Sequence, residues 1–156
     1  MTLHIKEFKA ESLPDFVPLK NRYDHLDSGP RADLRKVASF EDVADLPAYY
    51  RWLGGVPDKP GLQRIAFLLP HVGHNGNALP LGQQLRRRRI GEMRLFQMLR
   101  AEPPADLGYL RRLLIHADLH LDWQAFGKTL YYWGPTNKRR ILQDYFTPVH
   151  TDTNPA

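Results

Sequence analysis

The stretch LRRRRIGEMRLFQMLRAEPPADLGYLRRLL, residues 85–114, decides the fold class of this chain. Its apolar residues recur three and four positions apart, which is the spacing of one face of an α-helix. Pro103-Pro104 interrupts this pattern, so the stretch predicts one helix over residues 92–100 and another over residues 106–116. Its eight arginines fall between the apolar positions and would lie on the polar faces of these helices.

The same helical spacing continues on both sides of this stretch. It predicts further short helices near residues 15–26, 60–69 and 122–133, and another that begins at residue 136. Asp122 is placed to cap the start of one of them, and Gly54-Gly55 is typical of a helix end. No alternating run of β-branched residues is long enough for a strand. The sequence therefore predicts an all-α protein built from short helices.

Residues 71–79 contain two glycines and two asparagines and follow directly after a proline. This composition is typical of an exposed loop. We therefore predict two small helical bundles joined by this Gly/Asn-rich loop. The first is an N-terminal bundle over residues 1–70, and the second is a basic C-terminal bundle over residues 80–156.

Composition limits the possible functions of the chain. Apolar residues make up 42% of its 156 residues, which is enough to build a core. The chain has no cysteine, so disulfides and thiolate metal sites are excluded. No run of about 18 apolar residues could span a membrane, and the N-terminus does not resemble a secretory signal. We expect a cytoplasmic protein that does not bind a membrane and needs no metal or other cofactor.

The positive charge of the chain is concentrated in its second half. Residues 1–60 hold nine Lys and Arg against ten Asp and Glu, whereas residues 61–156 hold thirteen against seven, and the net charge is +5. Fifteen of the basic residues are arginines, whose planar guanidinium groups suit phosphate. We expect a folded face of cations without internal partners, which includes Arg86 and Arg87 and binds nucleic acid.

Two other functions fit parts of the sequence. His116, Asp118 and His120 alternate just before Asp122, and in a turn they could form the metal site of a small metal-dependent hydrolase or nuclease. In the simpler interpretation, His116 ends one helix and Asp122 caps the next, so we predict no metal site. A free-standing helical protein that binds duplex DNA is a third possibility.

Several segments, taken together, resemble one known family. They are YDHLDSG at 23–29, LRKV at 34–37, DLPAYYRWL at 45–53, LQRIAFLL at 62–69, LPLGQQL at 79–85, MRLFQMLRAEPPADLGYLRRLLIHADLHLDWQAFGKTLYYWG at 93–134 and RRILQDYF at 139–146. In order and spacing they are similar to CasB, the small subunit of the type I-E CRISPR surveillance complex Cascade. The similarity covers most of residues 19–147.

This resemblance implies an all-helical subunit of two small bundles without catalytic activity or cofactor. It implies that the chain lies beside other Cascade subunits and a second copy of itself. There it would brace the hybrid of guide RNA and target DNA and hold the displaced DNA strand during antiviral defence. The basic positions that match the family and would contact nucleic acid are Arg35, Lys36, Arg64, Arg94, Arg100, Arg111, Arg112 and Lys138.

Overall fold

The computed structural model describes residues 14–147, which fold mainly into α-helices. These are α1 (Phe16–Asp24), α2 (Ser28–Lys36), α3 (Pro47–Leu53), α4 (Pro60–Leu68), α5 (Leu81–Arg87), α6 (Glu92–Arg100), α7 (Ala105–Ala117), α8 (Trp123–Tyr131) and α9 (Pro135–Tyr145). Two 3-10 helices, Phe40–Asp45 and Leu69–His71, complete the helical content of these residues. The prediction of an all-α fold built from short helices is confirmed. Within residues 14–147, no helix has the length and apolar character needed to cross a membrane.

Local sequence signals fix several of the helix ends. Pro47 lies in the first turn of α3, where its missing N–H removes no intrahelical hydrogen bond. The helix ends at Gly54, whose left-handed backbone (φ 58°, ψ 39°) is the conformation that favours glycine. Asp122 caps α8, because its Oδ1 accepts a hydrogen bond of 3.0 Å from the Gln124 backbone N–H. These sites behave as the sequence predicts.

Two very short strands correct one expectation from the sequence. β1 (Gly73–His74) pairs in parallel with β2 (His120–Leu121), although no strand is predicted there. Two residues are too few to leave a period of alternation in the sequence. The pairing extends to a hydrogen bond of 3.0 Å from the Asn75 N–H to the Leu121 carbonyl. The predicted loop at 71–79 is thus held against the second half of the chain.

The helices before and after this loop pack against each other. α8 contacts both α1 and α4, and a Cβ added to Gly127 of α8 would collide with the Phe16 side chain of α1. The buried Trp123 indole donates a hydrogen bond of 3.0 Å to the Val72 carbonyl. The buried apolar residues form one cluster that draws on both halves of the chain. The predicted division into bundles over residues 1–70 and 80–156 stays a prediction.

The close packing of α5 on α9 positions the arginine run at residues 86–89. Gly82 faces α9, and a Cβ at this position would collide with the Ile141 carbonyl oxygen. The two helix backbones therefore approach closely, and the C-terminal end of α5 lies beside Tyr145 at the end of α9. Arg86 to Arg89 are all exposed at this end of the molecule.

Candidate nucleic-acid interface

Many basic side chains of this protein bind the carbonyl ends of its helices. The last carbonyl groups of an α-helix lack intrahelical donors and carry the negative end of the helix dipole. In α2, α4, α6, α7, α8 and α9, a lysine or arginine from elsewhere in the chain donates to a carbonyl at this end. The pairs are Arg111 with Val37 and Ala38, Lys20 with Leu69, Lys138 with Ala101, Arg88 with Ala117, Arg64 with Leu130 and Tyr131, and Arg86 with Tyr145. Much of the excess positive charge therefore has a structural role.

Arg111 joins the middle of α7 to the end of α2. Its two terminal nitrogens donate to the Val37 carbonyl at 2.6 Å and to the Ala38 carbonyl at 2.8 Å. Its guanidinium carbon lies 4.4 Å from the centre of the Phe67 ring. Burial, with a smaller contribution from the neighbouring charge of Arg112, lowers the pKa of Arg111. This guanidinium is half-buried, and its hydrogen bonds are directed at protein atoms.

Arg64 and Arg86 make similar contacts at the ends of α8 and α9. Arg64 donates from Nε to the Leu130 carbonyl at 2.6 Å and from a terminal nitrogen to the Tyr131 carbonyl at 2.8 Å. Burial lowers the pKa of Arg64. Arg86 donates to the Tyr145 carbonyl at 3.1 Å, and its guanidinium carbon lies 5.6 Å from the centre of the Tyr145 ring. Both side chains join elements that are distant in the sequence.

The buried carboxylate of Asp106 holds another predicted binding residue. Asp106 is fully buried, and its Oδ2 accepts hydrogen bonds from Lys138 Nζ at 2.6 Å and from the Trp133 indole at 2.8 Å. Lys138 also donates to the Ala101 carbonyl at 3.3 Å. Arg64, Arg86, Arg111 and Lys138 therefore all donate to acceptors inside the protein, although the sequence predicts that they bind nucleic acid.

Three exposed cations lie on the two segments that Arg111 joins, Arg35 and Lys36 at the end of α2 and Arg112 on α7. Arg111 directly precedes Arg112 on α7, and it donates to the carbonyls of Val37 and Ala38, which directly follow Lys36. The three cations are therefore brought close to one another. The Arg112 guanidinium carbon lies 5.2 Å from the centre of the Tyr109 ring, one turn earlier on the same helix. We call Arg35, Lys36 and Arg112 the α2–α7 basic surface.

The pKa of His71 reflects a positive electrostatic potential next to this surface. Its Nε2 is buried and has no hydrogen-bond partner in the protein. Burial, and to a smaller extent the positive charges of Arg111, Arg35 and Lys20, together lower the pKa of His71 to about 4. Three cations thus act on one imidazole at the junction of α2, α7 and the 3-10 helix. A phosphate group placed there would meet a positive potential.

This shift predicts a specific pH dependence of stability. Between about pH 6.5 and about pH 4, unfolded His71 binds a proton and folded His71 does not, so the free energy of unfolding should fall as the pH is lowered through this window. The His71→Gln variant should lose this part of the dependence. Urea denaturation at about pH 7 and about pH 5 measures it, with His116→Gln, at an exposed position, as control. An unchanged pH dependence in His71→Gln would contradict the prediction.

The structure divides the ten predicted residues among separate places. Arg35, Lys36, Arg111 and Arg112 lie together at the junction of α2 and α7. Arg64, Arg100 and Lys138 line a cavity beside Asp106, and the Arg100 guanidinium carbon lies 5.2 Å from the centre of the Phe96 ring. Arg86 and Arg87 lie at the end of α5, and Arg94 is exposed on α6.

The residues of the alternative metal site do not assemble into one. His116 is exposed in the last turn of α7, and Asp118 follows the helix in a left-handed conformation with φ 55°. The His120 ring packs over Gly73. Among the described residues 14–147, no three His, Cys, Asp or Glu side chains are grouped so that they could hold a metal ion. The geometry therefore gives the hydrolase hypothesis no support.

Two residues of this region have environments that the sequence analysis did not predict. Lys20 is buried and lies four residues after Phe16 and three before Tyr23, on the apolar face of α1. This spacing is a signal that the lysine binds protein atoms. His71 follows Pro70 in a segment that resembles a solvated loop, and nothing in the local sequence predicts its burial.

Comparisons with known proteins agree with this fold. No protein-family model matches the sequence. The chain is 32% identical to the CRISPR system Cascade subunit CasB of Escherichia coli strain K12 over 148 residues, which cover 84% of this chain and 92% of that protein.

A solved structure gives the same result. A chain in the crystal structure of E. coli Cascade bound to a PAM-containing double-stranded DNA target matches with a TM-score of 0.81 and 33% sequence identity. The match covers 86% of this chain and 95% of that chain. At this identity and coverage, the fold and the sequence agree over nearly the whole length of both proteins. The chain belongs to the CasB family of type I-E CRISPR Cascade subunits.

Proposed function

We propose that this chain is a non-catalytic subunit of a type I-E Cascade complex and that its α2–α7 basic surface holds the displaced strand of target DNA. The observation that supports this most directly is the group of exposed cations Arg35, Lys36 and Arg112 beside the positive potential at His71. The similar chain of E. coli Cascade belongs to a complex solved with double-stranded DNA, so a DNA strand is the fitting polyanion.

Binding alone is sufficient for this role. When a guide RNA replaces one strand of a DNA duplex, the new hybrid is about as stable as the duplex that it replaces. A small contribution from protein contacts to phosphate therefore decides whether the opened state persists. The contacts need not depend on base sequence, because pairing with the guide RNA already supplies specificity. Three cations on single-stranded DNA would give a slope of about −2 for log K against log salt.

The other members of the complex follow from the same proposal. Neighbouring Cascade subunits, a guide RNA and a second copy of this chain would surround the subunit, and the hybrid of guide and target would lie against it. Arg87, Arg94 and Arg100 are exposed at other positions and are candidates for these additional contacts. Arg64, Arg86, Arg111 and Lys138 would act mainly by keeping the helices in place.

Charge reversal at two of the surface positions tests the proposal. In the assembled complex, Lys36→Glu with Arg112→Glu should weaken binding of a double-stranded target about 10- to 100-fold at low salt. It should also reduce the slope of log K against log salt by about 1.4, since each lost phosphate contact on a single strand contributes about 0.7. Equilibrium binding over a series of salt concentrations measures both quantities.

Two controls make this experiment specific. Lys128→Glu with Arg140→Glu makes the same change in net charge at exposed positions on α8 and α9, and it should have a clearly smaller effect. A single-stranded target has no displaced strand, so the Lys36 and Arg112 variant should bind it nearly as well as the unmodified complex does. Equal losses in the two charge-reversal variants, or an equal loss with the single-stranded target, would contradict the assignment to the displaced strand.

A further inference from the structure

A cavity of about 500 Å³ lies between α6, the start of α7 and the start of α9. Its wall is mainly apolar and contains the aromatic rings of Phe40 and Trp133. The apolar wall is completed by Leu99, Ala101, Pro103, Pro104, Leu107, Gly134, Pro135 and Leu142. This volume and this lining are typical of sites for a small organic group with an apolar body.

A buried carboxylate lies beside this cavity. Asp106 is fully buried, and its Oδ2 already accepts from Lys138 and Trp133. Its Oδ1 has no hydrogen-bond donor in the protein. This carboxylate fixes Lys138 and Trp133, two of the side chains that line the cavity, so the wall is held in place by hydrogen bonds.

The charges at the cavity favour an anionic guest. Arg100 and Arg139 are exposed at its edge, and they outnumber the one exposed carboxylate there, Glu102. The other two cations of the wall, Arg64 and Lys138, are engaged by carbonyl groups and by Asp106. A cationic guest would be repelled by the arginines, whereas a phosphate could accept hydrogen bonds from both of them.

We propose that this cavity binds one unstacked nucleotide of a DNA single strand, with the base among the apolar and aromatic side chains and its phosphate on Arg100 and Arg139. A base has a planar apolar body, which suits a wall that contains the rings of Phe40 and Trp133. This inference rests on the proposed function, because the nucleotide belongs to the strand that the subunit holds. It adds a site for a base at a place separate from the α2–α7 basic surface.

The test uses the full-length chain and two small compounds. Deoxycytidine monophosphate carries a base and a phosphate, whereas deoxyribose 5-phosphate lacks the base. The indole N–H of Trp133 lies at the cavity and can be followed by NMR, and the buried Trp52 and Trp123 serve as internal references. We expect the nucleotide to shift the Trp133 signal and to bind at least about 10-fold more tightly than the sugar phosphate. Equal affinity for the two compounds, or no shift at about 10 mM nucleotide, would overturn the proposal.

Variants separate the base from the phosphate. Leu142→Phe fills the cavity and should abolish the preference for the nucleotide over the sugar phosphate. Arg100→Gln with Arg139→Gln should lower the affinity for both compounds about 10-fold, because both carry the phosphate. Lys128→Gln with Arg140→Gln is the matched control and should leave both affinities unchanged. Thermal unfolding confirms that each variant is folded. If Leu142→Phe still preferred the nucleotide to the sugar phosphate, the proposal would be overturned. Tighter binding of an acetylated Asp-Trp dipeptide than of the nucleotide would also overturn it.

A failure of this proposal can be distinguished from a failure of the proposed function. Lys36→Glu with Arg112→Glu should leave nucleotide binding at the cavity unchanged, because these residues do not line it. A failure of nucleotide binding would leave the salt-dependent binding of the complex intact. In the assembled complex, 2-aminopurine in the displaced strand should change its fluorescence at one position when Leu142→Phe is introduced. A change at a guide RNA position instead would overturn the assignment to DNA.

Discussion

Replacement of Asp106 with asparagine is expected to lower the free energy of unfolding by about 3 kcal/mol. The buried carboxylate forms an ion pair with Lys138 at 2.6 Å, and the Lys138 side chain is only 14% exposed. The asparagine would keep the shape of the side chain, but it would leave an ammonium group buried without a counter-charge. For a domain of this size, the loss corresponds to a fall in the melting temperature of about 6–12 °C. Urea denaturation and thermal unfolding measure the two quantities.

A second ion pair with a buried lysine, but with an exposed carboxylate, provides the control. Asp24 lies 3.3 Å from Lys20 Nζ, but its side chain is 49% exposed. Asp24→Asn should therefore cost less than about 1 kcal/mol, because water screens the exposed carboxylate and Lys20 keeps its hydrogen bond to the Leu69 carbonyl. If both substitutions lowered the free energy of unfolding by the same amount, the burial of Asp106 would not explain the stabilising effect of its ion pair.

A second substitution tests whether the loss comes from the unpaired lysine. In Asp106→Asn with Lys138→Met, no buried ammonium remains, so the double variant should recover part of the stability that Asp106→Asn loses. The Lys138 stem also lies over the Trp133 ring, with Nζ 5.7 Å from the ring centre, and methionine keeps much of this apolar contact. A double variant less stable than Asp106→Asn would show that Lys138 stabilises the fold mainly through its other contacts.

Local chemistry made much of the fold predictable. α6 runs from Glu92 to Arg100, as the apolar spacing predicts, and Asp122 caps α8 as its position suggests. The left-handed Gly54 ends α3 for the expected reason, namely that glycine tolerates this conformation. These features depend on residues that are close in the chain, so a single sequence contains the information. The β1–β2 pairing joins Gly73 to His120 and left no such local signal.

The candidate site was less predictable, because charge alone does not tell what a cation binds. Arg111 and Arg112 are adjacent and chemically identical, but Arg111 donates to carbonyls of Val37 and Ala38, more than 70 residues earlier. These acceptors are backbone atoms and leave no trace in the composition of either segment. The net charge therefore favours a polyanion partner only through those cations that have no such acceptor. The sequence therefore predicts the class of partner better than it predicts the residues that bind it.

The second large effect is expected from Arg111→Met, which should lower the free energy of unfolding by about 3 kcal/mol. The substitution removes two charge-assisted hydrogen bonds, of 2.6 and 2.8 Å, and the contact of the guanidinium with the Phe67 ring. It leaves the carbonyl end of α2 without donors from the side chain. Arg112→Met is the matched control, since it makes the same change one position later on an exposed side chain and should cost less than about 0.5 kcal/mol. Chemical denaturation of the isolated chain measures the difference.

The same two variants should differ in the opposite direction in nucleic-acid binding, where Arg112→Met should cause the larger loss. In the assembled complex at a temperature where both are folded, Arg112→Met should weaken target binding and reduce the salt slope by about 0.7, because one phosphate contact is lost. Arg111→Met should keep most of the salt slope, since its hydrogen bonds are directed at Val37 and Ala38. If Arg111→Met reduced the slope as much as Arg112→Met while leaving stability unchanged, Arg111 would be a phosphate ligand and α2 would not depend on it. The pair therefore tests, on adjacent residues, whether a partner inside the protein decides which arginines remain available for DNA.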